Sequence, residues 1–143
     1  MPDSPIYIGI DIGTSGLRAC AIDDQARQLA EARAPLPAPR VDGAAIEQDP
    51  NLWREALQRV LSALLGQIEV QRVVALAIDG TSGTVLLTDT RGEPLTPALM
   101  YNDARATQQL ARIRQVAPPD SPVNAPSAGL PKICWLAKHV DRN

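Results

Sequence analysis

A short phrase, Ile10-Asp11-Ile12-Gly13-Thr14-Ser15-Gly16, returns almost unchanged as Ile78-Asp79-Gly80-Thr81-Ser82-Gly83. Each copy closes an apolar run, IYIGIDI over residues 6–12 and VVALAID over residues 73–79. Short runs rich in β-branched residues read as strands, and the Gly/Ser/Thr clusters behind them as turns. A helical stripe lies between the two. A strand reached from an earlier one through a helix is ordinarily its parallel partner, with a right-handed crossover. Parallel neighbours end on one edge, so the repeat predicts two hydroxyl- and glycine-rich turns side by side at the carboxyl edge, where open α/β sheets bind ligands. Coincidence within a common turn vocabulary is the plain alternative. The acid ahead of both turns favours the paired site.

The first copy opens a hairpin. Residues 17–23, LRACAID, carry small and β-branched residues without a helical stripe and continue as a strand. Gly13 and Gly16 free the backbone from the usual restriction on φ, so that successive N–H groups of the turn can form an anion nest. Thr14 and Ser15 add hydroxyls, and the Asp11 carboxylate can hold a hydrated divalent cation. Such a set suits the terminal phosphates of a nucleotide. A plain hairpin that binds nothing is the other reading. Two rival phosphate motifs are excluded. A P-loop requires a lysine in its turn, and the first lysine is Lys132. A dinucleotide-binding turn must open a helix.

Residues 27–34 read as a third strand, antiparallel to the second, giving the sheet order 3-2-1-4. The prolines at 35, 37 and 39 then predict an exposed extended link to about residue 47. Asp49 is placed to cap a helix with Pro50 in its first turn. Leu52, Trp53, Ala56, Leu57, Val60, Leu61, Leu64, Leu65 and Ile68 recur at helical spacing, with Trp53 a core anchor. The almost wholly apolar run 73–79 predicts a strand covered on both faces. Residues 84–89 read as a further strand, 90–94 as a turn and 98–101 as a short returning strand. A helix over 104–116 with Asp103 as its cap and a last helix over about 131–140 complete the pattern. His139 sits where it would interact with the end of that helix.

Composition removes several function classes. The net charge is −2 and aromatic residues make up 3%, which argues against a nucleic-acid surface. Cys20 and Cys134 stand far apart in apolar segments and read as buried reduced thiols, not metal ligands. No signal peptide or membrane span is evident, and the reading places the chain in the cytoplasm. One domain's length of chain with 45% hydrophobic residues suffices for a core.

Taken together, five segments resemble the amino-terminal part of the FGGY family of carbohydrate kinases. IGIDIGTSGLRA resembles its first phosphate motif, and EQDPNLWREAL the lead into its first long helix. VVALAIDGTSGTVLLTD resembles its sugar-touching strand and loop, and PKICWLAKH its Lys-Leu-Leu-Trp-Leu-type helix. ALMYNDARA resembles its Trp-x-Asp-x-Arg region, with Tyr101 in place of the usual tryptophan. The form DGTSGTVLL is most similar to the xylulokinase and D-ribulokinase-like branch. Ser82-Gly83 stands where glycerol kinases carry Arg-Glu and bacterial xylulokinases Met-His. A sugar or acetate kinase of another family, or a chaperone ATPase, would share the phosphate turn, but EQDPNLW and YNDAR argue against these.

The resemblance implies an α/β fold of the ribonuclease H-like, actin/hexokinase-like ATPase type. Residues 1–143 would be part of an amino-terminal, sugar-binding domain, incomplete and without the carboxy-terminal ATP-binding domain. It implies ATP-dependent phosphorylation of a ketopentose, D-ribulose or D-xylulose, with Mg2+. Asp11 would lie by the metal and the transferring phosphate. Gly13, Thr14, Ser15, Gly16 and Arg18 would serve the nucleotide phosphates, and Thr81, Ser82 and Gly83 the sugar. The family's catalytic aspartate belongs further downstream, so the isolated chain is expected to be inactive. Self-association through an unpacked face is expected as well. A non-catalytic sugar-binding or regulatory remnant is the alternative, and the reading frame beyond Asn143 would separate the two.

Overall fold

In the computed structural model, which describes residues 4–140, the chain forms two units, one running to Ala38 and including Asn51–Thr81, the other Pro39–Pro50 and from Ser82 onward.

The first unit is a four-stranded sheet with one helix. Strands β1 (Ile6–Ile12), β2 (Gly16–Ile22) and β3 (Gln28–Pro35) form an antiparallel meander. Helix α1 (Pro50–Leu65) then carries the chain to β6 (Val73–Gly80), which pairs with β1 in parallel. The spatial order is β3-β2-β1-β6, the expected 3-2-1-4. Strand alternation sends Ile6, Ile8 and Ile10 of β1, Leu17, Ala19 and Ala21 of β2, and Ala30, Ala32 and Ala34 of β3 to one face, where all are buried. Ala56, Val60 and Leu64 of α1 join that core, and Trp53 packs against it half-buried. Each fully buried Ile or Leu contributes about 1.5–3 kcal/mol by leaving water. The alanines of β2 and β3 contribute less area but leave room for the helix.

β6 corrects an expectation. Its run of aliphatic residues predicted cover on both faces, yet Val74, Leu76 and Ile78 are 60%, 50% and 60% exposed. The register sets Leu76 beside Ile8 and Ile78 beside Ile10, so these side chains share the α1 face of the sheet. Of β6, Val73 packs against the core that α1 covers, but the cover does not extend to Val74, Leu76 and Ile78. Apolar content records what a strand can be covered by, not whether the cover is in the same stretch of chain.

The second unit holds β4 (Arg40–Asp42), β5 (Ala45–Gln48) and β7 (Ala98–Leu99) in a small sheet, with α2 (Thr107–Ile113) and α3 (Gly129–His139). The expected exposed extended link thus contains a hairpin, turned at Gly43 with φ of 58°. Residues 84–89 are not a full strand. Two isolated bridges, Val85 to Leu99 and Thr88 to Pro94, stand in its place around the turn at Gly92. The cysteines are corrected too: Cys20 is half-buried and Cys134 exposed.

Candidate functional site

The parallel pairing of β1 with β6 sets the Ile-Asp of the two repeats in register, Ile10 with Ile78 and Asp11 with Asp79, while Ile12, the one residue more in the first copy, lies beside Gly80. Both strands therefore end on the same edge of the first unit's sheet, and their aspartates point to the same face, opposite α1. Beyond them the two turns meet, with the Thr14 and Thr81 hydroxyl oxygens 3.4 Å apart. At that separation the hydroxyls are within reach of one ligand atom, with little bonding between them.

The first turn is tight. The Gly13 N–H donates to the Gly16 carbonyl at 3.0 Å, and the Ser15 carbonyl accepts from the Leu36 N–H at 2.9 Å. Gly13 and Gly16 are absent from the positive-φ glycines, so the reason for glycine differs from the expected one. A Cβ on Gly16 would lie 2.8 Å from the Ala34 carbonyl oxygen, and one on Gly13 3.0 Å from the Gly16 carbonyl oxygen. Space, not handedness, requires glycine at 16 and favours it at 13. With the Gly13 N–H consumed in closing the turn, the donors left to an anion are the N–H and hydroxyl groups of Thr14 and Ser15.

Asp11 faces Arg18 across the hairpin. Both are exposed and line an open depression of about 430 Å³ with Gly9, Cys20 and Glu31. Arg18 also borders a second one of about 200 Å³ with Ser15, Gly16 and Arg33. Arg18 thus borders both the depression beside Asp11 and the one beside the turn. The Asp79 carboxylate accepts from its neighbour's Gly80 N–H at 2.8 Å, which fixes its side chain at the end of β6. Asp79 joins the expected residues as one that repeat matching pointed to but strand reading left unassigned.

Thr81 closes the first unit, and Ser82 and Gly83 open the second. Gly83 adopts φ of 79°, so here glycine is needed for its handedness. Ser82 is exposed. The Gly83 carbonyl accepts from the Lys132 ammonium at 2.8 Å.

The second unit carries a buried charge network that sequence reading missed. Asp103 was expected to cap the following helix, but α2 begins at Thr107 behind Ala106. Asp103 is instead fully buried and accepts from the Ile46 N–H at 2.7 Å and from the Arg105 guanidinium at 2.6 Å. Arg105 donates also to Glu47 at 2.7 Å and lies 5.0 Å over the Trp135 ring. Burial pushes the Asp103 carboxyl upward, but hydrogen bonds from Arg105 and Ile46 outweigh it and hold the group below the usual carboxylate range. His139 stacks on Trp135 at the end of α3, with its Nδ1 2.8 Å from the Trp135 carbonyl oxygen. A signal for Lys132 existed: it sits four residues before Leu136, on the buried side of the helix, whereas Lys138 and His139 lie in its last turn.

The sequence pattern of the FGGY family of carbohydrate kinases, N-terminal domain, matches residues 6–142. The xylulose kinase of Escherichia coli (strain K12) is 32% identical over 138 residues, which cover 94% of this chain and 28% of that protein. The crystal structure of a xyloylose kinase from Brucella ovis superimposes with a TM-score of 0.81 at 26% identity, over 94% of this chain and 29% of the other. For gluconate kinase from Lactobacillus acidophilus the TM-score is 0.78 at 19% identity, a likeness of fold alone. The chain spans under a third of the length of the curated relatives it matches. Its fold is that of the actin/hexokinase-like ATPases, and the chain belongs to the FGGY family of carbohydrate kinases, matching its N-terminal domain.

Proposed function

We propose that the chain is the amino-terminal, sugar-binding part of a cytoplasmic kinase that transfers a phosphoryl group from ATP to a ketopentose, D-xylulose or D-ribulose, its ATP-binding domain lying in further sequence. The observation that supports this best is the in-register pair Asp11 and Asp79, with Thr14 and Thr81 meeting just beyond it. Phosphoryl transfer is mostly positioning and charge stabilisation, and such an edge supplies both. Thr14 and Ser15 hold the phosphates by N–H and hydroxyl donors, and Arg18 offsets their charge. Thr81 and Ser82 bind sugar hydroxyls, with Gly83 shaping the loop.

Mg2+ fits the donor set. It is held typically by one or two carboxylates, keeping several waters and substrate phosphate oxygens. The Asp11 carboxylate is exposed and makes no hydrogen bond or ion pair among the described residues, where no cluster of three or more His, Cys, Asp or Glu forms a cage. Bound there, the cation would neutralise charge on the transferring group.

The test is a coupled assay of the protein from the whole reading frame with Mg-ATP across pentuloses and polyols. Turnover should be highest with a ketopentose and fall on the order of a hundredfold in Asp11→Asn, since misplaced charge costs at least that in such reactions. Absence of phosphorylation of every sugar would end the kinase reading, and sugar binding without turnover would favour a binding remnant. The 143-residue chain alone should show no turnover.

A further inference from the structure

Lys132 is 0% exposed, and its ammonium donates to three backbone carbonyls, Gly83 at 2.8 Å, Met100 at 2.6 Å and Tyr101 at 3.0 Å. An ammonium has three donors, and all are used. We infer that Lys132 is the positioning residue of the sugar loop, tying Gly83 to the end of β7 and to Tyr101 so that Ser82 and the Tyr101 ring are presented in one fixed arrangement. The name sugar loop rests on the reading above; the tie itself does not.

Three observations carry it. A buried charge is expensive unless fully hydrogen-bonded, and a methionine or leucine would fill the same length of helix face without that cost. The carbonyls that Lys132 joins belong to two separate stretches, Gly83 at 49 residues away in sequence and the consecutive Met100 and Tyr101 at 32 and 31. The loop also needs an external hold. Gly83 sits at φ of 79°, and a Cβ there would be 3.5 Å from the Ser127 carbonyl oxygen. Gly129, one turn before Lys132 at the start of α3, lies with its Cβ direction 4.0 Å from the Gly83 Cα. The first turn of α3 is thus seated on the loop, and Lys132 fastens it there. Ser82 and Tyr101 remain exposed on either side of the fastened carbonyls. Burial draws the ammonium below the usual lysine range, opposed by the charge of Asp103 and aided by that of Arg105, consistent with a group held for its hydrogen bonds.

The experiment uses the 143-residue chain, labelled with 15N and 13C. In the wild type, trans-hydrogen-bond couplings from Lys132 Nζ should reach the carbonyl carbons of Gly83, Met100 and Tyr101. A missing coupling to Gly83 overturns the inference whether or not any variant folds. Lys132→Met is then compared with Leu136→Ala, a packing change on the same helix, under conditions where both are folded. In Lys132→Met the 15N order parameters of Ser82, Gly83 and Thr84 should fall from about 0.85 to below about 0.6, and affinity for D-xylulose or D-ribulose should weaken about tenfold. Leu136→Ala should move neither. Equal loop order in the two variants would reduce Lys132 to a structural lysine and overturn the inference. Should the wild-type chain bind neither sugar, the couplings and order parameters alone decide on Lys132, and the ketopentose reading is decided by the assay of the whole reading frame.

Discussion

Each of the two units is stabilised internally by a different chemistry. In the first, Ile, Leu, Val and Ala fill the core between α1 and the sheet. Asp23, its buried acid, is confined to a turn and paired with exposed Arg27. In the second, Asp103, Arg105, Glu47 and Lys132 put two negative and two positive charges in or beside the interior. An apolar core is non-directional and tolerates small displacements. A fully satisfied hydrogen-bonded charge network is directional and rigidifies the backbone groups it joins.

The sharpest way to break the contrast is Asp103→Ala. It leaves Arg105 and Lys132 without their buried counter-charge and the Ile46 N–H without an acceptor. The expected loss is about 3–5 kcal/mol, measured by urea unfolding with Trp135 as the reporter in a Trp53→Phe background. Its apolar counterpart, Leu64→Ala, should cost about 2–5 kcal/mol through the cavity it leaves, read by Trp53 in a Trp135→Phe background. A milder effect for Asp103→Ala than for a surface substitution would show that the network is ornamental.

Gly16→Ala comes next. The added methyl meets the Ala34 carbonyl oxygen at 2.8 Å, a backbone atom that cannot swing aside. The expected cost is about 1–3 kcal/mol, and the turn that carries Thr14 and Ser15 should shift with it, visible as amide shift changes confined to residues near 13–17 and 33–36. Unchanged stability would mean that β3 yields more readily than its neighbours imply.

The smallest effect is that of acid. Asp103 and Asp23 both lie below the usual carboxylate range when folded. For Asp23 the leading cause is the hydrogen bond from the Arg27 N–H. A depressed folded pKa means that the unfolded chain takes up protons first as pH falls. The stabilisation is therefore complete above about pH 4 and is lost progressively below it. Urea midpoints taken from pH 6 to pH 3 should drop in that window. Asp103→Asn should flatten the second unit's share and Asp23→Asn the first's. A flat profile in the wild type would contradict both assignments.

How much could be read beforehand follows the same divide. Strands β1, β2, β3 and β6, helix α1 and their order were legible because alternation and helical spacing record an apolar core directly. The hairpin of β4 and β5 was not, because Arg40–Gln48 is polar and its partner strand lies 50 residues away at β7. Asp103 looked like a cap because an acid ahead of a helix usually is one. Only the backbone of β5, folded back beside it, makes it a buried acceptor. The meeting of Thr14 with Thr81 could be foreseen from the repeat and the crossover rule. The reason for Gly16 could not, since close approach to β3 leaves no mark in local sequence.

β6 is the outermost strand of its sheet, and no charge or proline appears along it before Asp79. Among the described residues no strand pairs with its outer edge, and Val74, Leu76 and Ile78 are at least half exposed, a surface open to another extended segment. Colloidal behaviour is then left to long-range repulsion. A net charge of −2 supplies little of that, and it vanishes near the isoelectric point of about 5.3. Mildly acidic solutions, harmless to the fold until the carboxylates begin to protonate, are where this chain should first precipitate.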